Sequence, residues 1–180
     1  MLAKAVTACP QLHAPVLAHR NPATVSQEVG EEAEPAHPKG FVNIESTLTV
    51  LPGVAAAREW FALVAQAKMA ACLGAAVRAE TLEGSPGFSE PGSSVSPVVV
   101  SKLALPRYGD QIVAYRLVYA LVTERLTLAD HLDYVLVRVG RADALITFER
   151  VSAPVSAGME QRLTALTVRR LRKALRRRAG

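Results

Sequence analysis

DYVLVRV at 133–139, then GR at 140–141, then ADALITFERV at 142–151, is the stretch that decides the fold. Two runs rich in Val, Leu, Ile, Phe and Tyr flank a pair whose glycine supplies the unusual turn dihedrals, which predicts a β-hairpin around Gly140-Arg141. Upstream, QIVAYRLVYALV at 111–122 is the longest strand candidate, with Val113, Tyr115, Leu117, Tyr119 and Leu121 on one side. Tyr108-Gly109-Asp110 is turn chemistry before it, and Val98 to Leu105 is a strand closed by Pro106. The Gly-, Ser- and Pro-rich residues 84–97 predict a loop, and Val77 to Leu82 a short strand. Further out, Val54 to Cys72 has helical spacing at Val54, Ala57, Phe61, Val64, Ala65 and Cys72. Trp60 and Met69 widen that face, and Gly74 reads as the stop. Phe41 to Val50 alternates as a half-buried strand ended by Pro52-Gly53. Downstream, Met159 to Arg177 predicts an amphipathic helix with Leu163, Leu166, Leu171 and Leu175 inward. The order predicts an α+β fold: an antiparallel sheet of about five to six strands with two main helices packed on one face.

The 180 residues suit one domain, 41–180, preceded by an irregular segment, 1–40, that ends in an acidic run with Glu28, Glu31, Glu32, Glu34, Pro35 and Pro38. Half the residues are hydrophobic and 5% aromatic, so the expected core is aliphatic. The net charge of +5 is uneven. Residues 162–180 hold eight basic groups and no acid, which leaves 13 basic and 16 acidic groups in residues 1–161. Arg169, Arg170, Arg172, Lys173, Arg176 and Arg177 in this segment are the candidate surface for an anionic partner, of nucleic acid or of lipid. The same charges also suit the negative end of a helix dipole or a plain solvated face. No stretch reaches the roughly 18–20 apolar residues that span a bilayer. Met1 to Ala8 is too short for a secretory signal, so the chain as written is expected in the cytoplasm.

No catalytic pattern stands out. There is no phosphate-binding glycine loop, no nucleophile elbow and no His-Glu-x-x-His, which leads to the expectation of a non-enzymatic protein without cofactor or metal. His13, His19 and His37 lack ligand spacing. His131 lies beside Asp130 and Asp133, a composition that suits a plain turn as well as a metal. Arg107, Tyr108 and Asp110 could line a pocket mouth, or Asp110 could cap backbone amides in a turn. Arg116 and Arg138 could hold an anion if they share an inward face; otherwise they belong to a solvent face. Cys9 and Cys72 allow either one disulfide or two separate thiols. Val6-Thr7-Ala8-Cys9 also fits the minimal pattern of a lipid-anchor cysteine.

Four pieces recur in one order: Ala8-Cys9-Pro10-Gln11-Leu12; a helix ending Ala70-Ala71-Cys72; Pro106-Arg107-Tyr108-Gly109-Asp110 followed by Ala114-Tyr115-Arg116; and Val135-Leu136-Val137-Arg138-Val139-Gly140 before an Arg- and Leu-rich helix. In this the chain resembles the actinobacterial sensor-domain proteins, which are similar to the extracellular sensor of the PknH receptor kinase. The resemblance implies an extracytoplasmic, ligand-binding, lipoprotein-like domain with an antiparallel sheet and a Cys9–Cys72 disulfide. A second disulfide found in the kinase sensor has no cysteines here. It sets one expectation, a sensor-like module with an unknown ligand near residues 84–97. The basic helix sets the other, a cytoplasmic protein that binds an anionic partner. Neither ligand nor oligomeric state is written in the sequence.

Overall fold

The computed structural model describes residues 23–31, 42–84, 93–124 and 126–177, with backbone alone for residues 23–31, 80 and 82–84. The strands are β1 (Ala23–Glu31), β2 (Val42–Val50), β3 (Ser94–Val95), β4 (Val99–Lys102), β5 (Gln111–Val122), β6 (Thr127–Val139) and β7 (Ala142–Val151). The helices are α1 (Val54–Val64), α2 (Lys68–Gly84) and α3 (Ala157–Arg177). The α+β class with an antiparallel sheet is as the sequence predicts. The order across the sheet is β1-β2-β7-β6-β5-β3, and β4 also pairs with β5.

Strand periodicity then builds two cores. On β5, Tyr115, Leu117 and Tyr119 face the same side as Leu132 and Tyr134 of β6, against Ala57, Trp60, Met69 and Val77 of α1 and α2. The alternate residues, Ala114, Val135, Val137, Ile146 and Phe148, pack with Val168 and Leu171 of α3. Successive side chains leave a strand on opposite faces, so α1 and α2 cover one face and α3 the other. This corrects the expectation of two helices on one face. Residues 132–139 of β6 are buried without a break, as a central strand covered on both sides requires. Each large side chain such as Phe148, fully buried here, contributes roughly 1.5–3 kcal/mol by leaving water.

The predicted helix 54–72 is two helices, and the predicted strand 77–82 belongs to the second. Met69, Ala76 and Val77 are buried at positions i, i+7 and i+8, a helical period that a six-residue window read as a strand. Gly74 does not stop α2. A Cβ there would stand 3.3 Å from Val100 Cγ2, so the glycine lets α2 lie close to β4. The two helices meet at a 76° bend. The Tyr115 hydroxyl donates to Val64 O at 3.0 Å, satisfying a carbonyl that the end of α1 leaves open.

The sheet also begins before residue 41. Residues 23–31, read as part of an irregular segment, form β1 and pair in register from Ala23↔Val50 to Glu31↔Val42. The acidic composition hid a proline-free edge strand that β2 completes. Smaller differences lie at boundaries: β4 is shorter than 98–105, β6 starts six residues before Asp133, and α3 starts at Ala157. No single helix among the described residues is long and apolar enough to cross a membrane.

Candidate functional site

α3 is an amphipathic helix whose inward stripe is Glu160, Thr164, Val168 and Leu171. The stripe advances by three or four residues, so the positions between it turn outward. Arg169, Arg170, Arg172, Lys173, Arg176 and Arg177 are all exposed, as their periodicity predicts. From 169 to 177 they run about 12 Å along the axis. Arg169, Lys173, Arg176 and Arg177 line a shallow, open depression of about 460 Å³. None of the six takes part in an ion pair with a described acid. Arg176 Nε turns back to Arg172 O at 3.3 Å, a cation closing an open carbonyl near the end of the helix.

The strand arginines do not assemble into an anion site. Register places Arg116 opposite Asp133 and Arg138 opposite Gln111, so the two arginines leave the sheet on opposite faces. Both point inward, and neither belongs to a solvent face. Arg116 binds Asp133 through Nε at 2.8 Å and Nη2 at 2.6 Å, and the same Nη2 reaches Glu160 at 3.1 Å. Asp133 and Glu160 are 1% and 2% exposed. One cation thus lies between two buried carboxyls. Burial, followed by the neighbouring Asp133, pushes the Glu160 carboxyl up to about 7, against the pull of Arg116.

Arg138 is buried and donates to Gln111 Oε1 at 2.7 Å and to Gly140 O at 2.9 Å, with Asp110 at 3.5 Å. Asp110 accepts from the Gly140 amide at 2.7 Å, the capping role open to a turn aspartate. Gly109 sits at φ +66°, where a Cβ would stand 2.5 Å from Arg138 O, so only glycine fits. Tyr108 packs against the α3-side core, whereas Arg107 is exposed. These residues tie two turns together at one end of the sheet.

The burial of several acids went unsuspected. Asp143 is 2% exposed, neither of its oxygens has a hydrogen-bond partner, and burial pushes it up to about 7 despite nearby Arg138. Asp130 accepts from the Tyr119 hydroxyl at 2.7 Å, with burial raising its pKa and that hydrogen bond opposing the rise. Tyr119 itself is raised, by burial first and then by the Asp130 charge. Asp130 joins the face that α1 and α2 cover; His131 and Asp133 point the other way, so the three do not converge. No group of three or more His, Cys, Asp or Glu placed to hold a metal occurs among the described residues. A usable signal for Glu160 was present: it is spaced with Thr164, Val168 and Leu171 on the inward stripe. Asp133, Asp143 and Asp130 offered none without the strand register.

Cys72 is half-buried on α2, and no described cysteine is a free thiol. Cys9, the Val6-Thr7-Ala8-Cys9 pattern, His13, His19, His37 and most of residues 84–97 lie outside the described residues.

No family model and no curated protein matches this chain. A solved structure is similar to it. It is the crystal structure of LpqN, involved in cell envelope biogenesis of Mycobacterium tuberculosis, at 15% identity and a TM-score of 0.33, covering 84% of this chain and 91% of that one. A likeness of this size carries no functional assignment.

Proposed function

We propose that this chain is a non-enzymatic binding module that meets an anionic partner through the outer face of α3. The observation that supports the reading is the set of six exposed cations without an ion-pair partner among the described residues, grouped along two and a half turns. Such a group raises the local concentration of anions and speeds encounter. It sits on a helix whose inner stripe is fixed to the sheet, so the charges are held rather than trailing. The test is binding to inorganic polyphosphate at rising ionic strength. The expected result is steep weakening with salt, since exposed charges are screened beyond roughly 8–10 Å at 0.1–0.15 M. Arg169→Glu with Lys173→Glu should lower affinity at least about tenfold while far-UV circular dichroism and melting stay unchanged. Unaltered, salt-insensitive binding in that variant would refute the reading.

A second reading concerns the compartment. The PknH-like resemblance and the absence of a free thiol at Cys72 favour an extracytoplasmic, sensor-like domain with Cys9 and Cys72 joined. In the chain-entropy model a bridge closing a loop of this length contributes roughly 4 kcal/mol. Thiol titration of denatured, unreduced protein is expected to find no free sulfhydryl, and reduction should lower the melting temperature. Two free thiols under those conditions would remove the pairing.

A further inference from the structure

The cations of α3 are not alone at their end of the molecule. Leu175 reaches the β6–β7 turn, with Cδ1 3.6 Å from where a Cβ on Gly140 would stand. The next residue in that turn, Arg141, is exposed. Asp110 N donates to Arg138 O at 2.8 Å, which brings the 107–110 turn and its exposed Arg107 to the same end of the sheet. Arg141 O accepts from Leu51 N at 2.9 Å, and three residues beyond Leu51 stands Val54, 44% exposed at the start of α1. Arg107, Arg141 and Val54 come from three separate parts of the chain, and only the topology gathers them at the end of the sheet that Leu175 of α3 reaches. The one acid in these turns, Asp110, is held by the Gly140 amide and Arg138.

We infer that this end of the sheet is a docking surface for an anionic lipid bilayer. The inference rests on the reading that α3 meets an anionic partner, and names that partner. Three features select a bilayer over a nucleic acid. The inward stripe of α3 is packed on the sheet, so the helix presents a single basic side, which can lie flat on a charged plane. Its nine residues from Arg169 to Arg177 hold no aromatic side chain to stack on bases. An exposed apolar Val54 at the same end of the sheet as exposed arginines suits a headgroup plane, where cations meet phosphates and a small apolar group reaches past them.

The experiment is co-sedimentation of the full chain with vesicles of phosphatidylcholine alone or mixed with phosphatidylglycerol, and a parallel titration with duplex DNA. The expected result is binding to the mixed vesicles only. Arg107→Gln and Arg141→Gln should each weaken it roughly fivefold, Val54→Asp should weaken it as well, and Arg78→Gln on α2, an exposed control, should not. Equal binding by wild type, Arg107→Gln and Arg141→Gln, with loss in the α3 double variant, would overturn the extended surface and leave α3 as the site. Binding to DNA without binding to vesicles would overturn the bilayer. Indifference to the α3 substitutions as well would sink the earlier reading itself. Melting curves of each variant separate lost binding from lost fold.

Discussion

Replacing Asp133 with Ala is expected to destabilise the chain by about 3 kcal/mol, the low end for breaking a buried ion pair, because the Arg116 side chain, 25% exposed, loses its nearest carboxylate. Arg116 gives Asp133 its two shortest charge-assisted contacts, at 2.8 and 2.6 Å, and Asp133 is 1% exposed. A typical domain has only about 5–15 kcal/mol in hand, so urea unfolding should show a much lower midpoint with little change in slope. Asp133→Asn should cost less, since the amide oxygen still accepts one hydrogen bond. Replacing Arg116 and Asp133 together with Met and Leu should recover most of the loss, because the penalty belongs to the uncompensated charge. A single Ala variant as stable as wild type would show that Glu160, 3.1 Å from the same Nη2, takes over the whole pairing.

The second large effect is a fall in stability as pH rises. Glu160 and Asp143 are both pushed up to about 7 in the folded chain, by burial first in each case. Their ordinary values are 4.5 and 3.8. Between the ordinary and folded values the folded state holds protons that the unfolded state has released. The stabilisation is therefore fully present below the ordinary values and is lost as pH rises through about 7. A tenfold difference in proton affinity between the folded and unfolded chain corresponds to about 1.4 kcal/mol, which makes this slope visible against the whole stability. Thermal melting is expected to be higher at pH 5 than at pH 8, the reverse of a chain held by carboxylates with lowered values. Glu160→Gln with Asp143→Asn should flatten the profile and raise the melting temperature at pH 8. A wild-type profile that rises toward pH 8 would contradict the protonated carboxyls.

How far these features could be read in advance depended on range. Gln111–Val122 and Ala142–Val151 were predicted with their observed bounds, because apolar runs rich in Val, Leu, Ile, Tyr and Phe bounded by glycine turns are local signals. Residues 77–82 failed because a short apolar window fits both periods, and Gly74 read as a stop is a point of close packing. β1 failed because its strand character comes from an edge that β2 provides. The outward arc of α3 was legible from its period. What Arg116 and Arg138 do was not, since their partners follow from cross-strand register, and register is a tertiary fact.

The same register has a consequence for how β6 finds its place. Asp130 and Asp133 lie three apart on this strand, so one grips Tyr119 on the side of α1 and α2 while the other grips Arg116 on the side of α3. Sliding β6 past β5 by a single position would turn both acids to the wrong side and abandon both grips at once. A largely aliphatic strand, which could otherwise slip among similar neighbours, thus carries two polar detents that make one alignment unique.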